Sequence, residues 1–162
     1  MDVAKLEPEE IDKEALALLR TVFGKLESIM LPINLNQIIE HCGLTIRQGT
    51  FVDSDLEGAL DRQSKTIFLS ESDSFAGKNF TVAHELGHFK LHKEVKTDIF
   101  TMHQLNNLLS RQGEDIKEDQ ADLFAISLLM PEKSIRSLWR ATNRNLESVS
   151  KIFGVPQVAA KL

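Results

Sequence analysis

Asn79-Phe80-Thr81-Val82-Ala83-His84-Glu85-Leu86-Gly87-His88-Phe89-Lys90-Leu91-His92 is the stretch on which the fold turns. His84 and His88 are four positions apart, so on a helix they share one face, roughly 6 Å apart along the axis. Both imidazoles then reach one small cation, and Glu85, beside the first, is placed to work on a water held there. The chain has five histidines, so a pair at this spacing is not specific by itself, and the rest of the site has to be found elsewhere in the sequence.

A catalytic zinc usually takes three protein ligands and leaves one position for water. Four downstream residues compete for the third place: His92, His103, Glu114 and Glu118. On a continuous helix His92 lies roughly 12 Å from His84, too far to share bonds of about 2 Å. His92 is therefore expected to pack against or cap the end of the helix. Glu118 opens an apolar helical run, and at about 100° per residue Asp122, Ala125 and Leu129 fall within about 40° of it. A carboxylate on a core-facing stripe is expensive unless it is paired or binds metal. Glu118 is thus the expected third ligand. Asp122 suits the outer shell, accepting the outward N–H of a liganding histidine and fixing its tautomer. Gly87, inside a helix where glycine costs about 1 kcal/mol against alanine, would let the Glu118 helix pass close to the two histidines.

Around these residues the composition is that of an ordinary globular chain. Its 162 residues are 42% hydrophobic and 27% charged, enough for one domain with a substantial core. No apolar run approaches the roughly 20 residues of a membrane span, and with the acidic start Met1-Asp2-Val3-Ala4-Lys5-Leu6-Glu7 no secretory signal is expected. The single cysteine, Cys42, rules out an internal disulfide framework and suits a reducing, cytoplasmic setting. The net charge of −5 divides unevenly, with +5 over residues 133–162 and −10 over residues 1–132. The acidic body argues against direct nucleic-acid binding, and Arg136, Arg140 and Arg144 at i, i+4, i+8 read as a solvated helix face.

The periodicity predicts an α+β architecture. Leu16, Leu19, Val22, Phe23, Leu26, Ile29 and Met30 recur at helical spacing after Pro8 and stop at Pro32. A short helix at Asn36–His41 ends at Gly43. Leu44–Arg47, Gly58–Asp61 and Thr66–Leu69 read as strands, the last two joined by a polar turn at Arg62–Lys65. A helix from Phe75 or Lys78 to Leu91 follows. Residues 93–116 are weakly periodic, with a short helix expected around Leu105–Leu109. Ile116–Leu129 is a strong helix stopped by Pro131, and the tail holds helices at Ser134–Arg140 and Leu146–Phe153. The expected organisation is a body over residues 1–131 and a basic helical extension, 132–162, packed on the same domain.

The opening stretch resembles the "RFTxAHELGHxxLH" segment of the ImmA/IrrE metallopeptidase family. Glu118-Asp119-Gln120-Ala121-Asp122-Leu123-Phe124-Ala125-Ile126-Ser127-Leu128-Leu129-Met130-Pro131 resembles that family's "ExxANxFAxxLLMP" segment. Asn79 departs from the usual arginine, and Asp122 stands where asparagine is common. The resemblance implies a zincin-like fold with N-terminal helices, a small sheet, two metal-bearing helices and a helical tail. It also implies one zinc per chain on His84, His88 and Glu118, with Glu85 as the base, and a substrate that is a helix-turn-helix transcriptional repressor. The alternative is a non-catalytic regulator of the same fold that binds a repressor or another partner. An extended substrate is expected to pair along a sheet edge, with Thr66, Ile67, Phe68 and Leu69 as the candidate strand. The chain has no tyrosine, so the oxyanion donor is expected from His103, Arg111 or a backbone N–H.

Overall fold

The computed structural model describes residues 6–93, 97–101 and 115–161, with the segment 97–101 described by its backbone alone. Helix α1, Pro8–Phe23, has proline in its first turn, and the Glu7 N–H donates to the Glu10 carboxylate. It buries Ile11, Ala15, Leu18 and Leu19. The apolar repeat continues to Met30, but the helix does not. Gly24, at φ 79°, ends it, a short 3-10 turn occupies Leu26–Ser28, and Met30 is exposed. Helix α2, Leu35–His41, is capped by the Asn34 side chain and closed by Gly43 at φ 65°.

Four strands follow: β1 (Thr45–Gly49), β2 (Leu56–Asp61), β3 (Thr66–Ser70) and β4 (Thr97–Thr101). Their order is β1-β3-β2-β4, with β1 parallel to β3 and both remaining pairs antiparallel. The β2–β3 hairpin turns where the polar Arg62–Lys65 segment predicts. Strand β4 lies in the weakly periodic stretch and was not anticipated, because five residues with one apolar pair give little alternation to read. The expected helix at Leu105–Leu109 lies outside the described residues.

Helix α3, Phe75–Leu91, starts at Ser74, whose hydroxyl accepts the Gly77 N–H, and lies across β2 and β3. Helix α4, Ile116–Leu129, begins at Asp115 and is packed between α1 and α3, so it buries residues on nearly all sides. At the α3–α4 crossing, a Cβ on Gly87 would stand 2.9 Å from the Ala121 Cα and 3.0 Å from its carbonyl oxygen. The helix pair needs a glycine there. Helix α5, Glu132–Ala141, buries no residue fully, whereas α6, Leu146–Phe153, delivers Val149 and Phe153 to the core. Gly154, at φ 65°, ends α6, and the Asn79 side-chain amide donates to its carbonyl, tying the tail to the start of α3. A final 3-10 turn spans Ala159–Lys161. Among the described residues no helix is long and apolar enough to cross a membrane.

The register of β2 skips between Leu56 and Gly58 against β4, and Glu57 sits in that irregularity. Its side chain is buried, and Oε2 has no hydrogen-bond partner among the described residues. Burial, reinforced by the Asp73 carboxylate, raises its pKa to about 7 from 4.5.

Two outcomes follow from these packing features. Gly87→Ala gains about 1 kcal/mol of helix propensity but forces the Ala121 backbone outward, an overpacking worth roughly 1–3 kcal/mol. Its melting temperature is expected to fall, and that of Gly87→Val to fall further. For Glu57, the folded state keeps its proton while the unfolded chain loses it as pH rises from 4.5 to about 7, so this group's contribution to stability declines across that window. Glu57→Gln is expected to match the parent near pH 4 and exceed its melting temperature at pH 8.

Candidate metal centre

One turn of α3 puts His84 above His88, and both rings point toward the first turn of α4. The His84 and His88 Nε2 atoms are 3.0 Å apart. Glu118 closes the triangle, with Oε2 3.3 Å from His84 Nε2 and Oε1 3.3 Å from His88 Nε2. Tetrahedral ligands with bonds of about 2.0–2.1 Å stand about 3.3 Å from one another, a spacing that the two nitrogens and the two carboxylate oxygens match closely. Among the described residues they form a group able to hold a metal ion.

Burial and charge agree with that reading. The two histidine side chains are 1% exposed and that of Glu118 14%, so Glu118 is the least buried of the three. Burial opposes a charge on His84, but its hydrogen bonds to Asp122 and Glu118 outweigh it and raise the pKa to about 10. Burial likewise opposes charge on Glu118, and the two imidazoles more than offset it, holding the carboxyl well below its usual range. The site therefore favours positive charge where the three atoms meet. Two nitrogens and one carboxylate are also a donor set that suits a divalent cation of borderline softness.

Asp122 lies one turn beyond Glu118, with Oδ1 2.8 Å from His84 Nδ1. An ionised carboxylate only accepts, so Nδ1 carries a ring proton, and a cation at the centre would take the place of the second proton, on Nε2. Glu85 is fully buried on the same helix, next to His84. His92 is not in the ligand group. It has left helical geometry as the C-cap of α3, and its Nδ1 lies 2.9 Å from His88 Nδ1, on the side of that ring away from Glu118.

Two residues were not found by sequence reasoning. Gln120 is buried, with Oε1 2.8 Å from His92 Nε2. It lies roughly opposite Glu118 on a helical wheel, at about 200°, and only the two-sided burial of α4 marks it. Arg62, in the β2–β3 turn, donates to the backbone carbonyls of His88, Phe89 and His92 and stacks over the Phe89 ring. It satisfies the open end of α3, a role that no local spacing announces.

The substrate-strand expectation needs correction. Thr66, Ile67, Phe68 and Leu69 lie in β3, which is hydrogen-bonded to β1 on one side and β2 on the other. A strand paired on both sides has no groups left for β-addition. Among the described residues, the sheet has edges only at β1 and β4. His103, Arg111 and Glu114 lie outside the described residues.

Comparison with known proteins agrees with this geometry. The chain is 28% identical over 138 residues to the metallopeptidase ImmA of Bacillus subtilis (strain 168), covering 82% of this chain and 77% of that protein. The fold is similar to that of a solved Mycobacterium tuberculosis transcriptional regulator, with a TM-score of 0.69 at 12% identity over 93% of this chain. The match spans 45% of that longer protein. The sequence profile of the IrrE N-terminal-like domain, peptidase family M78, covers residues 39–162, and the chain belongs to that family of metallopeptidases.

Proposed function

We propose that the chain is a zinc-dependent endopeptidase that cuts a specific protein, a helix-turn-helix transcriptional repressor. The observation that carries the enzymatic reading is the triangle of His84, His88 and Glu118 with Asp122 behind it, on a chain whose family is a peptidase family. His84 and His88 would hold zinc through Nε2 and Glu118 through its carboxylate. Bound there, zinc would supply Lewis acidity toward the scissile carbonyl and a water.

The protein's own groups do the rest. Glu85 takes the proton of the attacking water and returns it to the leaving amine. It is fully buried next to His84, on the helix that carries both histidines. Asp122 keeps the His84 lone pair turned toward the cation and stabilises the ring as charge is drawn from it. The substrate approaches from the side of Glu118, the least buried of the three. In this reading residues 1–131 form the peptidase body and 132–162 an extension of the same domain, supported by the place of Val149, Phe153 and Ala159 in the common core. The single cysteine and the lack of a membrane-crossing helix among the described residues fit action in the cytoplasm.

Purified protein is expected to carry about one zinc per chain, removed by His88→Ala. Glu85→Gln should keep the metal while lowering cleavage of a co-expressed repressor by about 10²–10⁴-fold. A Glu85→Gln protein that still clears the repressor would leave binding alone as the function.

A further inference from the structure

The two histidines at the centre are supported differently. His84 is backed by a carboxylate, Asp122. His88 is backed by a second imidazole, His92, which is in turn backed by the amide of Gln120. We infer, resting on the metal-centre reading above, that His92 and Gln120 act as a neutral relay that fixes the tautomer of His88.

The argument is one of proton counting. To bind a cation through Nε2, His88 needs its lone pair there and its proton on Nδ1. That proton points at His92 Nδ1, 2.9 Å away, which must then accept. A neutral His92 that accepts at Nδ1 carries its proton on Nε2, which lies 2.8 Å from Gln120 Oε1, an acceptor. With Gln120 Oε1 facing His92, a lone pair on His88 Nε2 and a proton on His92 Nε2 go together. Were the Gln120 amide turned to present its NH₂, the chain would run backwards. His92 would donate from Nδ1, His88 would accept at Nδ1, and its Nε2 would carry hydrogen where the cation has to sit. The orientation of a side chain that touches neither metal nor substrate thus decides whether His88 is a ligand.

The backbone holds this geometry in place. His92 has departed from helical geometry, at φ −116° and ψ 68°. Arg62 grips the carbonyls of both His88 and His92 through one guanidinium nitrogen. That clamp keeps the His92 ring turned back along the helix, against the outer nitrogen of His88. All three rings and the Gln120 side chain are buried, so water does not compete for these bonds.

His92 and Gln120 are positioning residues, and removing a supporting partner of this kind typically weakens metal affinity about 10–100-fold. The test is chelator-competed Co(II) binding, followed by the visible absorption of the bound ion, together with thermal melts of the metal-free proteins. Gln120→Met, similar in size but without the acceptor, is expected to lose affinity by about that factor, whereas Gln120→Glu, which keeps an acceptor, retains it. In a His92→Phe background Gln120→Met should cost nothing further, because the two act in series. Wild-type affinity in Gln120→Met, or a loss that Gln120→Glu fails to restore, overturns the relay. So does an additive loss in the double variant. A parent protein that takes up no Co(II) overturns the metal centre itself.

Discussion

Contact between α3 and α4 at Gly87 and Ala121 is the constraint on which the site depends. The two imidazoles able to hold a metal belong to one helix and the carboxylate to another, and bonds of about 2 Å would leave no room for helices separated by a side chain. A glycine on α3 and an alanine on α4 bring the backbones to where His84, His88 and Glu118 meet. The sheet beneath α3 and helix α1 behind α4 press the pair together from both sides. Glycine in mid-helix is a local weakness, retained here because a tertiary contact requires it.

Buried polarity in this protein is organised rather than merely tolerated. Asp122, His84, Glu118, His88, His92 and Gln120 form a continuous line of bonded groups through the interior. An unpaired group in such a line would be costly, so each member constrains the next. Arg62 extends the same logic to the backbone by supplying donors to carbonyls that the end of α3 leaves open.

The parts of this arrangement legible in the sequence are those with a period. His84 and His88 show themselves by i, i+4 spacing, and Glu118 and Asp122 by sharing a face that ought to be apolar. The end of α4 follows from Pro131, whereas its Asp115 cap and the Ser74 cap of α3 are seen only in the structure. What stayed hidden depends on contacts between distant segments. Gln120 looks like an ordinary polar helix residue until α4 is seen to be covered on both sides. Arg62 looks like a turn residue until the hairpin is laid under the end of α3. The central place of β3 follows from strand order, and alternation along one strand carries no information about which strands flank it. The zincin-like fold and the expectation of peptidase activity come from the family resemblance, and the spacings alone name neither.

The location of α4 between α1 and α3 has a thermodynamic consequence. Helix α4 carries Glu118 on one side and core residues that face α1 on another, so a cation bound at the centre would also hold the three-helix stack. Binding energy and folding energy become one quantity: a cation at 1,000 times its dissociation constant adds about 4 kcal/mol to stability. Through that linkage, substitutions on α1 that loosen α4 would lower affinity for a cation they never approach, and heat and metal depletion would become interchangeable ways of opening the same structure.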